Sequence, residues 1–220
     1  METERPNSWR LNPNARCLSE GVDIPALDGV AFIDPRGSEI DIVQAVGRAI
    51  RVSSEKAVGT IIIPVFIEEH EDPNVALNNS SFKKVWAVVN ALRSHDEEFG
   101  AKLDLLRRKL GRRERPRRVD KVYFDLPKAI SVDFEESLDV KLVESTTTSW
   151  EFWIGLLESY KKEFGHSSPP DSYKTEDGLG LGRWVSTQRK EHRKGKLDPE
   201  RVRRLDQIAL LWEPRKEPTS

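Results

Sequence analysis

Val58–Ile67 reads VGTIIIPVFI, an almost wholly apolar run of the kind that forms a parallel strand covered on both faces. Upstream, Gly29–Asp34 (GVAFID) is a second short apolar run, ending in Asp-Pro, and predicts a buried strand followed by a turn. Between them Ser38 is placed to cap a helix, with Asp41 answering three residues on. Ile42, Val43, Val46 and Ile50 supply that helix with an apolar stripe. Strand, helix and strand in succession predict a βαβ unit with a right-handed crossover.

Outward from this unit, residues 1–13 carry two prolines and no periodicity, and read as an irregular lead-in. Ser81–Leu92 predicts another helix, with Phe82, Val85, Trp86, Val89 and Leu92 on one face. Arg107–Arg118 (RRKLGRRERPRR), broken by Gly111 and Pro116, reads as an exposed basic connector. Val119–Leu126 (VDKVYFDL) alternates like a half-buried strand.

From Trp150 the texture changes. Trp150, Trp153, Ile154, Leu157, Tyr160 and Phe164 recur at helical spacing up to a stop at Gly165. A loop rich in Pro, Asp and Gly spans Ser167–Gly180. A second helix carries Leu181, Trp184, Val185 and Gln188. A third begins with Asp198 as N-cap and Pro199 at the first helical position, and directs Val202, Leu205, Ile208 and Trp212 inward.

Bulk composition narrows the function classes. The chain has 220 residues, enough for one large domain or two small ones. A third of them are charged, yet the formal net charge is −1, so the distribution of charge matters more than its sum. Cys17 is the single cysteine, which excludes an internal disulfide and a thiolate metal cluster. Met1–Arg10 lacks the apolar core of a signal peptide, and the longest apolar run falls well short of the roughly 20 residues of a spanning helix. The sequons at Asn78 and Asn79 carry little weight without a sign of export. A soluble cytoplasmic protein with no membrane partner is expected.

Two stretches then stand out. Asn14–Pro25 reads NARCLSEGVDIP and Gln44–Arg51 reads QAVGRAIR. In order, spacing and intervening strand they resemble motifs V and VI of superfamily 2 (DEAD/DEAH-box-like) helicases. The resemblance implies that Gly21 admits a close backbone approach, that Asp23 contacts the ribose, and that Gln44 lies on the nucleotide side of the cleft. It implies that Arg48 and Arg51 are arginine fingers reaching the triphosphate. A planar cation that keeps its proton suits an anionic phosphoryl-transfer transition state, with rate effects of about 10³–10⁵. Taken alone, the two arginines better describe a solvated helix face.

Trp150–Trp212 resembles the helicase-associated domain that follows the motor in many bacterial helicase-like proteins. The resemblance rests on the opening Trp150, Gly165-His166, Tyr173, Asp177-Gly178, Leu181-Gly182, Trp184-Val185, Gln188-Arg189, Gly195-Lys196-Leu197 and Leu205-Asp206 before Trp212. Pro169-Pro170 stands where that family usually shows Val-Pro. Most of these tryptophans should be core. The functional reading attaches to the base-rich rim from Arg183 to Arg204, with Arg189, Lys190, Arg193 and Lys194 as candidate nucleic-acid contacts.

Other patterns carry no chemistry. Asp96-Glu97-Glu98 imitates an acidic box, but no apolar strand delivers it, and it reads as a charged helix end. Gly178–Gly182 lacks the spacing of a dinucleotide loop. Gly195-Lys196 lacks the rest of a phosphate-binding loop. His166 and His192 have no partners at ligand spacing, so no metal site is expected.

The sequence therefore predicts an α/β partial RecA-like domain with a parallel sheet (residues 1–100) and a basic connector with a strand (101–145). A small all-α three-helix bundle (146–213) and a tail (214–220) complete it. The resemblance implies a helicase-derived fragment with an accessory nucleic-acid-binding domain and no Walker A/B site of its own. It would use ATP only with the missing N-terminal motor half, and would be inactive alone. Its partners would be DNA or RNA and a separate polypeptide carrying helicase motifs I–III. The alternative is a stand-alone nucleic-acid- or protein-binding module with no ATPase role.

Overall fold

Strand β1 (Gly29–Ala31) pairs in parallel with β2 (Thr60–Ile62), in the register Gly29 to Thr60, Val30 to Ile61 and Ala31 to Ile62. The computed structural model describes residues 29–31, 42, 46–47, 59–65, 72–78, 80–115, 119, 121–126 and 132–213. The strand expected over Val58–Ile67 ends at Ile62 because Pro64 has no N–H to give a ladder. Ile42, Val46 and Gly47, between the two strands in sequence, are helical, as the βαβ reading requires. The described residues are mostly helical, with this one two-stranded parallel sheet among them. A two-stranded sheet is the extent of the α/β architecture that these residues form.

The described chain divides into two units. The first contains residues 1–67 and 78–95. Its core joins Ile42 and Val46 to Val88 and Ala91, with Ile61, Ile63, Ala87 and Leu92 packed around them. Helix α1 (Pro73–Asn78), which belongs to the second unit except for its last residue, starts after Asp72, whose carboxylate accepts the Val75 N–H at 3.3 Å. Helix α2 (Ser80–His95) buries Phe82, Val85, Trp86 and Val89, the face that the spacing predicts, and also Val88 and Ala91. Phe82 stacks on Trp86 one turn away, with ring centroids 5.7 Å apart.

The second unit contains residues 68–77 and 96–220. Asp96 opens helix α3 (Glu97–Gly111): its carboxylate accepts the Phe99 N–H at 2.9 Å, and Glu97 and Glu98 lie at the positive end of the helix dipole. The acidic triplet is thus a helix start, consistent with a charged helix end. Helices α4 (Val132–Thr146), α5 (Ser149–Phe164), α6 (Leu181–Arg193) and α7 (Pro199–Gln207) complete the unit. The most extensive helix pairing is α3 against α5, and α3 also packs on α4.

Two expectations for this region are corrected. The basic stretch that begins at Arg107 is not wholly an exposed connector, since residues 107–111 form the last turn of α3. Arg107 pairs with Glu144 at 2.9 Å and lies over the Phe152 ring, while Arg108 and Arg112 both reach Glu158. Basic residues at the end of α3 therefore join it to α4 and α5, whose acids face them. Val119–Leu126 forms no strand among its described residues. Exposure does alternate there, with Lys121, Tyr123 and Asp125 outward, but no second strand among the described residues offers a ladder.

Candidate nucleic-acid interface

Three helices build the surface in question. The inward residues Trp150, Ile154, Leu157 and Tyr160 of α5 meet Leu181 and Val185 of α6, and Leu205 and Ile208 at the end of α7. Their spacing is the three-to-four-residue recurrence read from the sequence. Glycine chemistry sets the approach of α6. A Cβ on Gly182 would sit 1.9 Å from the carbonyl oxygen of Pro170, so only glycine lets the helix start touch the loop backbone. The Gly182 N–H then donates to the Tyr173 carbonyl at 3.1 Å. Tyr173 packs edge-on against Tyr160 at 4.8 Å, and burial pushes both hydroxyls above the usual tyrosine pKa.

The carbonyls left unpaired at the end of α7 are met by side chains from elsewhere in the bundle. Lys161 donates to the Ile208 carbonyl at 2.8 Å, and Ser167 to that of Ala209 at 2.6 Å. Arg189 Nε donates to the Leu211 carbonyl at 2.9 Å, and its terminal nitrogen to Ser168 at 3.1 Å. Arg189 is 8% exposed, and burial lowers the pKa of its guanidinium from the ordinary arginine value. It is a structural clamp on the C-terminal segment. The sequence reading expects Arg189 at the nucleic-acid-facing rim; the structure places its side chain inward instead.

Several other rim cations are engaged. Arg204 grips the buried carboxylate of Glu151 with both terminal nitrogens, and its guanidinium lies 4.8 Å from the Trp150 ring centroid. Hydrogen bonding to Glu151 raises the Arg204 pKa further. Arg203 makes two hydrogen bonds to Glu200, at 2.9 and 2.6 Å. Arg201 is exposed and sits over Trp150 at 5.4 Å.

What remains outward on α6 is ordered. Lys190, Arg193 and Lys194 are exposed as expected, and Arg183 joins them. Arg183, Thr187, Lys190 and Lys194 follow at steps of four, three and four residues, so they share one helix face. At about 1.5 Å per residue the row extends over roughly 16 Å. Glu191 borders it, and its carboxylate is held by Lys194 at 3.4 Å. Arg183 opens the base-rich rim read from the sequence, and it stands on the face opposite Leu181, Val185 and Gln188.

Gly21, Asp23, Gln44, Arg48 and Arg51 lie outside the described residues. No described helix is long and apolar enough to cross a membrane.

The chain is 35% identical over 86 residues to a protein named Probable helicase from African swine fever virus, in Kenyan and Malawian isolates alike. That match takes in 39% of this chain but only 9% of the viral protein. Among solved structures, the chain is similar to the ATP-dependent Type ISP restriction-modification enzyme LlaBIII bound to DNA. The TM-score is 0.43 and the identity 23%, over 87% of this chain and 16% of that one. Residues 147–213, the stretch that contains α5, α6 and α7, match the family described as Helicase associated domain.

Proposed function

We propose that residues 146–213 are an accessory nucleic-acid-binding domain of an ATP-dependent helicase. The observation that carries this is the row of Arg183, Lys190 and Lys194 on one outward face of α6, with the exposed Arg193 to its side, within a domain that matches the helicase-associated family. Outward lysines and arginines at helical spacing offer phosphates a line of cations without disturbing a core. Arg189 and Arg204, spent on internal contacts, are not part of that line.

A salt titration of labelled DNA and RNA against the chain tests the reading. Affinity should fall linearly on a log-log plot, by roughly 0.7 to 0.9 units for each phosphate neutralised. Alanine at Arg183, Lys190, Arg193 and Lys194 together should weaken binding and flatten that slope while the melting temperature holds. Absence of binding at low salt would instead favour a protein-interaction module with no ATPase role.

The N-terminal part of the proposal is that the chain contributes half of an ATP site. The similarity of Asn14–Pro25 and Gln44–Arg51 to motifs V and VI supports it. In that reading Gly21, Asp23 and Gln44 border the nucleotide, and Arg48 and Arg51 stabilise the transition state across the cleft. A separate polypeptide carrying motifs I–III holds the triphosphate. The chain alone should hydrolyse ATP no faster than buffer. Activity restored by such a partner should fall in Arg48→Ala and in Arg51→Ala, and a rate indifferent to both would remove the assignment. The proposed setting is the cytoplasm.

A further inference from the structure

Trp184 follows Arg183 directly on α6 and stacks on Trp153 of α5, the ring centroids 5.9 Å apart and the planes within 9° of parallel. Both indoles are only partly buried. Trp150, behind them, tilts against Trp184 at 6.3 Å and carries Arg201 over its ring. A partly buried indole pair thus stands at the N-terminal end of the cationic row, with an exposed arginine on α6 and another on α7 beside it.

A duplex hides its base faces within its own stack and presents phosphates and groove edges. An unpaired strand also presents its base faces, and an aromatic surface beside a line of cations matches both parts of it. We propose that the Trp153–Trp184 pair is a stacking platform for unpaired bases, so that the ligand of this domain is a single-stranded nucleic acid. The phosphates of the strand run along Arg183, Lys190 and Lys194. This rests on the nucleic-acid reading above and adds to it the class of strand.

The test uses the full chain and fluorescence anisotropy at low salt. The probes are a deoxythymidine oligomer, a uridine oligomer, a duplex of equal length, an abasic oligomer of equal charge, and inorganic polyphosphate. Wild type should bind the thymidine oligomer about fivefold or more tighter than the abasic one, and tighter than the duplex. Trp184→Leu should abolish that preference while leaving the abasic affinity and the salt slope unchanged. Trp184→Phe, which keeps a ring, should retain most of it. The uridine arm should follow the thymidine arm, because stacking does not read the sugar.

Equal affinity of wild type for the abasic and thymidine oligomers overturns the platform and leaves the cationic row standing. So does a preference for the duplex. If none of the polyanions binds, the nucleic-acid reading itself fails, and the platform with it. Should Trp184→Leu fail to fold, the wild-type comparison of base-bearing and abasic strands still decides.

Discussion

Gly111 of α3 and Gly155 of α5 meet backbone to backbone: a Cβ on Gly111 would sit 2.1 Å from the Phe152 carbonyl oxygen, and one on Gly155 2.1 Å from that of Arg108. Neither obstacle is a flexible side chain, so the crossing exists only with hydrogen at both positions. The close approach also brings Arg108 within 3.2 Å of Glu158 and 4.0 Å of Glu151. Glu151 is 4% exposed and holds Arg204 from α7. One acidic residue on α5 therefore faces cations from helices on two sides.

Gly155→Ala should be more damaging than an ordinary core enlargement. Inserted carbons in a packed interior cost about 1–3 kcal/mol, and here the clash is with main chain that cannot rotate away. The expected result is a lowered melting temperature, read from the near-ultraviolet signal of the tryptophans around Trp150. An unchanged melt would mean that α3 and α5 separate without consequence.

The same crossing extends the stable unit upstream of the family match, which begins at residue 147. A fragment of residues 96–213 should melt cooperatively and at a higher temperature than one of 147–213. The shorter piece exposes Gly155 and the Glu158 side of α5, and loses the Arg113 pairs with Glu176 and Asp177 at 2.9 and 3.0 Å. Those last pairs are surface contacts and contribute little. Equal melting of the two fragments would confine the domain to its three C-terminal helices.

Arg189 and Lys190 are neighbours in sequence with opposite duties. Arg189→Ala removes charged hydrogen bonds to the Leu211 carbonyl and Ser168, each interaction of this kind contributing about 1.5–3 kcal/mol. Lys190 is exposed, and Lys190→Ala should change stability by no more than about 0.5 kcal/mol. Binding should show the reverse pattern once both variants are folded, with Lys190→Ala lowering the salt slope and Arg189→Ala leaving it intact. Denaturant melts beside salt titrations separate the two effects. A salt slope lowered by Arg189→Ala would return that residue to the interface.

How far the sequence is legible differs from place to place. The inward faces of α5, α6 and α7 follow from helical periodicity, because apolar recurrence is what burial selects. Arg189 was legible too: it lies four residues after Val185 and eight after Leu181, on their face, and only its charge suggested otherwise. Helix α3 was obscured because charge reads as exposure. Arg107, Arg108 and Arg112 meet Glu144 and Glu158, acids distant in sequence, and no local pattern reveals that pairing. Val119–Leu126 shows the opposite failure, since alternation reports which side chains are covered but not whether a neighbouring strand exists. The cationic row needed the fold to sort outward bases from those already held.

Asp96 ties stability to acid in a direction that can be worked out. Its carboxylate accepts from Lys121 Nζ at 2.6 Å and from the Phe99 N–H at 2.9 Å. These hydrogen bonds, the lysine first, together with the lysine charge, hold its pKa below the ordinary aspartate value. A carboxyl whose folded pKa lies below its unfolded one stabilises the fold fully above the unfolded value, about 3.9, and loses that contribution as pH falls through the folded value. Lys121 is half exposed and Asp96 a third exposed, so the ion pair should contribute no more than about 1 kcal/mol. Asp96→Asn keeps an N-cap oxygen for Phe99 but removes the charge. Wild type should therefore exceed Asp96→Asn in stability near pH 6, and the gap should close as the pH is lowered toward 2. Lys121→Ala should narrow the gap at pH 6 by removing the lysine's hydrogen bond and charge. Denaturant midpoints for the three proteins across this range provide the measurement. A gap that persists undiminished at pH 2 would show that the Asp96 charge has no part in holding the start of α3.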